Sequence, residues 1–368
     1  MSNGMLKKYY QFELGQVCSR LSSGKGIAAK EISEHGIYPV FGGNGLRGYS
    51  DKKNFEGQCA IIGRQGAFCG NVRFFSGEAY MTEHAVVVCA NEKSDIKYLS
   101  YLLGTMNLGR LSGQSAQPGL SVKTLSKQVI QLPDISEQRQ ITKVLSSFDD
   151  KIELNAQINH NLEEQAKAIF KSWFIDFEPF RDGEFVDSEL GQIPAGWQVG
   201  TLKDMLEVRY GKEHKKLADG AIPVYGSGGL MRHVEKALYN GESVLIPRKG
   251  TLNNVMRVTG EFWTVDTMFY SVPRKTGAAK YLYHILSKLD LTSMNSGSAV
   301  PSMTTDILNA IKIILPPDKV LKDFDYLTSF FWESIETKKM EMQKLAQLRD
   351  ALLPELMSGE IDVSKVQV

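Results

Sequence analysis

YPVFGGNGLRGY at residues 38–49 and IPVYGSGGLMRH at residues 222–233 are two versions of one phrase. A proline, a valine, an aromatic residue, two glycines and a leucine recur at a constant separation of 184 positions. Further matches keep nearly the same interval: IIGRQGAFCGNV at 61–72 corresponds to LIPRKGTLNNV at 245–255, and KYLSYLL at 97–103 corresponds to KYLYHIL at 280–286. Similarity at a fixed interval indicates an internal repeat. The 368-residue chain is therefore predicted to be a tandem duplication, with a globular domain in each half.

Two long helices are predicted after the globular parts, because the 33 glycines are absent from 120–182 and from 298–358. In each window apolar residues recur at alternating steps of four and three, which is the spacing of a coiled-coil seam. The first seam, with Asn155 near its middle, consists of Ile141, Leu145, Phe148, Ile152, Leu162 and Ile169. The second consists of Phe331, Ile335, Met342, Leu345 and Leu352. A polar residue at the centre of a seam fixes the register of the two helices.

These patterns predict an α+β fold in which two α/β globular domains, related by a pseudo-two-fold axis, are separated by a long antiparallel two-helix coiled coil. The second domain begins where the first helix ends, so a second helix that packs along the first must run antiparallel to it. A helix from about 136 to 174 would be about 58 Å long, which suits a spacer. The predicted boundaries are 1–133 and 199–317 for the globular domains, 134–178 and 318–358 for the helices, 179–198 for a linker and 359–368 for a tail.

The composition is that of a soluble globular protein, with 42% hydrophobic and 23% charged residues. No apolar run approaches the roughly 18 residues of a membrane span, and the N-terminus has no signal-peptide core, so we expect a cytoplasmic protein without membrane contact. The four cysteines form no CxxC pair and are predicted to be reduced thiols, without a metal site. The net charge of +1 argues against coating DNA by charge alone, but it leaves a locally basic face possible.

The usual catalytic motifs are missing. Gly24-Lys25 and Gly211-Lys212 lack the remainder of a Walker A loop, and neither Gly-rich phrase has the context of a dinucleotide fingerprint. Pro316-Pro317-Asp318 lacks the aromatic residue of the [DN]PP[FY] motif of adenine methyltransferases. A formal PD…DxK nuclease pattern exists at Asp134, Asp149 and Lys151, but it falls on a predicted helix. We therefore expect no catalytic residues, and keep a self-contained nuclease and a coiled-coil adaptor as alternatives.

Basic and polar residues on the predicted loops suit DNA, because Arg and Lys contact phosphate or guanine and Asn and Gln read adenine. The Gly-rich phrases themselves are either tight turns at strand ends or places where the backbone approaches DNA. Arg64 and Arg248 recur within the repeat. The candidate DNA-binding residues of the first half are Lys25, Asn44, Arg47, Arg64, Gln65 and Asn71. Those of the second half are Tyr210, Lys212, His214, Lys215, Lys216, Ser227, Arg232, His233, Arg248, Lys249, Asn253 and Asn254.

The chain resembles the DNA-specificity (S, HsdS) subunits of type I restriction–modification systems over nearly its whole length. The resemblance is carried by the stretch from LPDISEQRQ to WFIDFEPF at 132–180, by SELGQIPAGWQVGTLKD at 188–204, by YGKEHKKLADGAIPVYGSGG at 210–229, by VLIPRKG at 244–250 and by LRDALLPELMSGEI at 348–361.

This resemblance implies a non-catalytic, sequence-specific subunit whose two target-recognition domains each read one half of a bipartite, asymmetric site in double-stranded DNA. It also implies two methyltransferase (M) subunits that use S-adenosylmethionine, and restriction (R) subunits that use ATP and Mg²⁺. No cofactor is then expected in this chain itself.

Overall fold

The computed structural model describes residues 9–112, 119–294 and 302–366. The chain divides into two compact units: unit 1 comprises 1–155 with 340–368, and unit 2 comprises 156–339. Each unit thus contains a globular body and one half of each long helix. Within the described ranges, no helix has both the length and the apolar character that crossing a membrane requires.

Unit 1 is built around a sheet with the strand order β2-β7-β5-β6-β3-β4. All its neighbouring strands are antiparallel except β3 and β6, which run parallel. Short strands β1 and β8 pair separately. The strands are β1 (Tyr10–Glu13), β2 (Cys18–Ser23), β3 (Tyr38–Gly42), β4 (Gly45–Ser50), β5 (Phe55–Gly63), β6 (Val72–Met81), β7 (Ala85–Ala90) and β8 (Val129–Leu132), and the short helices are α1 (Ile96–Thr105) and α2 (Val122–Ser126).

Unit 2 repeats this arrangement in two sheets, with strand orders β12-β19-β16-β17 and β14-β13-β18-β15. The parallel pair is again present, here between β13 and β18. The strands are β9 (Phe185–Ser188), β10 (Gly191–Pro194), β11 (Gln198–Thr201), β12 (Leu206–Tyr210), β13 (Ile222–Gly226), β14 (Gly229–Val234), β15 (Tyr239–Asn240), β16 (Ser243–Pro247), β17 (Met256–Val258), β18 (Glu261–Thr264), β19 (Met268–Pro273) and β20 (Lys312–Leu315). The short helices are α4 (Leu202–Met205), α5 (Ala278–Lys288) and α6 (Thr305–Asn309).

The six-stranded sheet of unit 1 corresponds to the two four-stranded sheets of unit 2, which separate at a glycine pair that both units share. In unit 1 Gly57 lies opposite Gly77 within the continuous hairpin β5–β6. In unit 2 the equivalent Gly241 and Gly260 still exchange backbone hydrogen bonds of 3.0 and 3.2 Å. All four glycines have positive φ, which other residues adopt only with strain. The hairpin is therefore the same bent element in both units, and in unit 2 the bend falls between β15 and β16 and between β17 and β18.

The two long helices are α3 (Ile135–Phe174) and α7 (Asp318–Ser358). In unit 1 their halves run antiparallel, since Asp149 of α3 pairs with Arg349 of α7 while Asn155, further along α3, donates a 2.9 Å hydrogen bond to the earlier residue Glu341. Asn155 is fully buried, as expected for a polar residue within a seam. Helix α7 ends at Ser358 and is followed by Gly359 with φ +79°, the left-handed position that glycine favours.

The halves of the helices in unit 2 are also antiparallel, because Ala166 of α3 packs with Trp332 and Ile335 of α7 while Phe174 packs on Phe324. The predicted seam residues divide by burial. Ile141, Leu145 and Ile335 are buried. The rest are half-buried, namely Phe148, Ile152, Leu162, Ile169, Phe331, Met342, Leu345 and Leu352. The seam is thus a packing face in both units, and the α+β fold class predicted from the sequence is confirmed.

The range 179–198, predicted as a linker, is folded. It contains the antiparallel hairpin of β9 and β10. Ile193 and Trp197 are buried in the main core of unit 2, where Trp197 contacts Phe174 and Phe180. Proline and glycine in this range therefore mark the turns of a compact hairpin, and the aromatic residues around it attach it to the core.

Candidate nucleic-acid interface

Unit 1 brings four loop segments together, which we call loop cluster 1: residues 24–26, 42–45, 63–66 and 81–84. The Lys25 N–H donates to Met81 O at 2.9 Å, and the Thr82 N–H donates to Phe41 O at 2.9 Å. The Arg64 N–H donates to His84 O, also at 2.9 Å. The cluster is therefore one hydrogen-bonded structure built from segments that are far apart in sequence.

Unit 2 has the equivalent loop cluster 2: residues 211–213, 226–229, 247–250 and 264–267. The Lys212 N–H donates to Thr264 O at 2.8 Å, the Val265 N–H to Tyr225 O at 3.1 Å and the Arg248 N–H to Thr267 O at 2.9 Å. These three bonds match those of loop cluster 1. The duplication thus preserves a loop architecture as well as a sheet.

Gly24 and Gly211 show what the short Gly-Lys sequences do. A Cβ atom on Gly24 would lie 2.1 Å from Met81 O, and one on Gly211 would lie 2.1 Å from Val265 O. No real Cβ atom tolerates such a distance from a backbone oxygen. Glycine is therefore needed for the close approach of two chain segments, and the lysine that follows it, Lys25 or Lys212, is exposed beside the turn.

The repeated arginines brace the two clusters. The guanidinium of Arg64 donates to Glu83 O at 3.4 Å, and that of Arg248 donates to Asp266 O at 3.3 Å. The carbonyl of Arg64 accepts the Leu120 N–H at 2.8 Å, and that of Arg248 accepts the Met303 N–H at 2.9 Å. Both side chains are half-buried. Their recurrence in the sequence is therefore explained by their role in holding the loops in place, and each side chain remains partly accessible.

Tyr210 and Arg248 form a pair at the edge of loop cluster 2. The guanidinium carbon lies 5.2 Å from the centre of the Tyr210 ring, and the ring is half exposed. A cation over an aromatic face is attracted to it. The pair presents a flat surface on which charge and ring are adjacent.

The other candidates fall into two groups. Exposed side chains in or next to the clusters belong to Lys25, Asn44, Arg47, Gln65, Asn71, Lys212, Lys215, Lys216 and Lys249. The second group has polar partners or lies away from the cluster. The Asn253 amide donates to Asp290 at 3.4 Å, and its side-chain carbonyl accepts the Thr292 N–H at 3.2 Å. The Asn254 amide donates to Ser227 O at 2.8 Å, and Arg232 donates to Leu217 O and Asp219 at 3.0 and 2.8 Å. His233 lies further along β14.

The basic stretch 209–216 is organised around an acidic residue. Glu213 accepts the backbone N–H groups of His214 and Lys215 at 2.8 and 3.0 Å. These bonds, the one from Lys215 first, hold the pKa of Glu213 below its usual value. His214 is half-buried, while Lys215 and Lys216 are exposed. The stretch is therefore a folded turn that presents lysines rather than a uniformly basic arm.

Arg73, a further basic residue of the first half, reaches into loop cluster 1, where a Cβ on Gly45 would lie 2.6 Å from its Nη1 atom. Reasoning from sequence missed one feature of the site. The turns 82–84 and 265–267 support Arg64 and Arg248 through backbone atoms alone. Thr82-Glu83-His84 and Val265-Asp266-Thr267 share no residue at equivalent places, so no sequence signal marks them.

The residues of the nuclease pattern have other roles. Asp134 accepts the Glu137 N–H at 3.0 Å and so caps the start of α3. Asp149 is held by Tyr101 and Arg349, and Lys151 lies 3.9 Å from Glu341. Fifteen helical residues place Asp149 about 22 Å from Asp134. Among the described residues, no group of three or more His, Cys, Asp or Glu side chains is placed to hold a metal ion. The nuclease alternative therefore has no support.

Comparison with known proteins shows which family this chain resembles. The family described as "Type I restriction modification DNA specificity domain" matches residues 7–164 and again residues 194–347. The specificity subunit of the type I restriction enzyme MjaIX from Methanocaldococcus jannaschii is 30% identical over 302 residues, covering 73% of this chain and 70% of the relative. That of EcoprrI from Escherichia coli is 42% identical over 140 residues, covering 37% of this chain and 35% of the relative.

A solved structure has the same fold. It is the crystal structure of the S subunit of a type I restriction–modification system from M. genitalium, which matches with a TM-score of 0.63 and 19% identity. The match covers 97% of this chain and 98% of that one.

Proposed function

The chain belongs to the family of type I restriction–modification DNA specificity subunits, and on this premise we propose that each of its loop clusters reads one half of a bipartite site in double-stranded DNA. The observation that carries the proposal is the matched construction of the two clusters. The same backbone bonds hold Lys25 and Arg64 in one cluster and Lys212 and Arg248 in the other, while the exposed side chains around them differ. Two similar supports with unlike side chains suit an asymmetric site, where a homodimer would read a palindrome.

The remaining functions are proposed for the helices and for partner subunits. Helices α3 and α7 would set the spacing of the half-sites, with centres about one DNA turn or ~34 Å apart, and would dock two M subunits. Adenine methylation with S-adenosylmethionine would belong to the M subunits, and ATP- and Mg²⁺-dependent cleavage to the R subunits. This chain would then be the non-catalytic member of a cytoplasmic complex.

Contacts with phosphate can be tested by the salt dependence of binding. Each lysine–phosphate contact contributes about one unit to the slope of log K against log salt concentration. We expect Lys25→Ala and Lys212→Ala, in the complex with M subunits, each to reduce the slope by about one and to weaken binding similarly for all sequences. Lys203→Ala is the matched control, because Lys203 is exposed on α4 outside loop cluster 2. Fluorescence anisotropy with labelled duplexes measures the slope. Unchanged slopes for both variants would remove these lysines from the interface.

A further inference from the structure

The hairpins that carry the two Gly-rich turns share a β-bulge at the same place. In unit 1 Phe41 lies opposite Leu46 and Val40 lies opposite Gly48, so Arg47 is the extra residue. In unit 2 Tyr225 lies opposite Leu230 and Val224 lies opposite Arg232, so Met231 is the extra residue. A bulge redirects a side chain, and bulges are frequent next to functional sites. Residues 47 and 231 are therefore the redirected positions of the two hairpins.

Both redirected side chains take the same path over the turn. A Cβ on Gly42 would lie 2.7 Å from Arg47 Cδ, and a Cβ on Gly226 would lie 2.5 Å from Met231 Sδ. The first glycine of each turn thus leaves the space that the bulge residue crosses. This explains why both phrases keep glycine there, and it means that residues 47 and 231 are presented on equivalent backbones.

The chemistry presented at these positions is opposite. Arg47 is an exposed cation. Met231 is 56% exposed. The leucine before the bulge residue is exposed in both hairpins, at 51% for Leu46 and 45% for Leu230, so the contrast lies at the bulge residue itself. A single exposed apolar residue needs no explanation, but an apolar side chain where the repeat has an arginine is a difference in binding capacity.

We propose that the bulge residue selects the class of base read by each hairpin, which rests on the function proposed above. In the major groove arginine pairs with the O6 and N7 acceptors of guanine, whereas an apolar side chain contacts the 5-methyl group of thymine. Arg47 accordingly reads a guanine in one half-site. Met231, supported by Leu230, reads a thymine methyl group in the other.

The thymine contact is tested by removing the 5-methyl group of the base and, separately, the side chain of Met231 beyond Cβ. The S subunit in complex with M subunits is titrated with duplexes of the mapped recognition site in which single thymines of the second half-site are replaced by deoxyuridine. We expect one replacement to weaken binding about fourfold, the effect of withdrawing one methyl group from an apolar contact. This fourfold loss should disappear in Met231→Ala. Met340→Ala is the control and should retain the loss, because Met340 on α7 is equally exposed at 56%. Because both methionines are exposed, neither substitution should change the melting temperature.

The reciprocal variants test the selection itself. Met231→Arg should shift the preference of the second half-site from thymine towards guanine and leave the first half-site unchanged, and Arg47→Met should do the reverse. The proposal would be overturned if no deoxyuridine replacement weakened binding of the native complex, or if the replacement weakened binding of Met231→Ala equally. A second half-site without an A·T pair would also overturn it. A native complex with no sequence preference would instead contradict the proposed function.

Discussion

The cleft under α1 in unit 1 and the cleft under α5 in unit 2 occupy the same place in the repeat but contain different side chains. In unit 1 Tyr101 donates a hydrogen bond to Asp149, and Arg349 pairs with the same carboxylate. Lys97 approaches Asp150 at 3.8 Å. The cleft remains open as a cavity of about 710 Å³. In unit 1 the helices and the globular body are thus joined through a polar cluster.

In unit 2 the positions of Tyr101, Asp149 and Arg349 are taken by His284, Trp332 and Ala166. His284 stacks on Phe170 with ring centres 4.9 Å apart and lies 5.9 Å from the Trp332 ring. The cavity here is about 210 Å³. The same junction between the long helices and the globular body therefore contains an ion-pair network in unit 1 and an aromatic cluster in unit 2. The two units should consequently respond differently to substitution and to pH.

The largest contrast is expected from truncating equivalent core positions. Phe170 is 1% exposed and contacts Phe174 and Phe324, whereas Leu353, its equivalent in unit 1, is half-buried. Phe170→Ala should destabilise unit 2 by about 3–5 kcal/mol, and Leu353→Ala should destabilise unit 1 by about 1–2 kcal/mol. Hydrogen exchange resolved by peptide measures each unit separately. Equal losses would show that the aromatic cluster is no more important than its aliphatic counterpart.

The ion pair of unit 1 should have a smaller effect. Arg349→Ala removes the ion pair of Asp149 and keeps its hydrogen bond from Tyr101, and should cost about 2 kcal/mol, a typical value for a hydrogen bond to a charged group. A double-mutant cycle with Asp149→Asn isolates the interaction, because coupled residues give non-additive losses. Urea unfolding followed by hydrogen exchange in unit 1 is the measurement. Strict additivity would mean that the pair contributes nothing beyond its separate side chains.

Acid should weaken unit 2 through His284. Burial, aided by the charges of Arg257 and Lys167, lowers the pKa of His284 to about 4. In the unfolded chain the pKa of His284 is the ordinary value of about 6.5, so between pH 6.5 and pH 4 the unfolded chain binds a proton more readily than the folded chain does. The stability of unit 2 is therefore full above about pH 6.5 and falls as the pH drops towards 4. The loss at pH 5.5 should be about 1.4 kcal/mol. His284→Gln should remove this dependence, and Tyr101, whose pKa burial raises, should show none in that range. An unaltered pH profile in the variant would contradict the assignment.

The parts of the fold that could be predicted from sequence are those set by periodicity and repetition. The seam from Ile141 to Ile169 and the repeated phrase are local patterns, so they indicate long helices and duplicated domains without any structure. The range 179–198 could not be recognised as folded, because Pro194 and the nearby glycines are equally typical of linkers and turns. The packing of Trp197 against Phe174 of α3 shows that this range is folded onto the core.

The candidate site was predictable only in outline. Lysines and arginines on repeated loops pointed to the two clusters, but the roles of individual residues depend on long-range contacts. Arg64 and Arg248 brace turns that have no sequence signature, and Asn254 is held by Ser227. Arg47 and Met231 are equivalent positions of the repeat, but only the strand pairing shows that each is the extra residue of a β-bulge. Residue type therefore indicated the region of the candidate site, whereas the strand register determines which side chains are exposed to a ligand there.

An exchange of residues 199–317 for those of a family member with a different target tests most directly whether each loop cluster reads its own half-site. Methyladenine is mapped across a genome in cells that contain the M subunits and either the native chain or the exchanged one. One half of the methylated sequence should change while the other half and the gap between them stay the same. A change in both halves, or in neither, would contradict the independent reading of two half-sites.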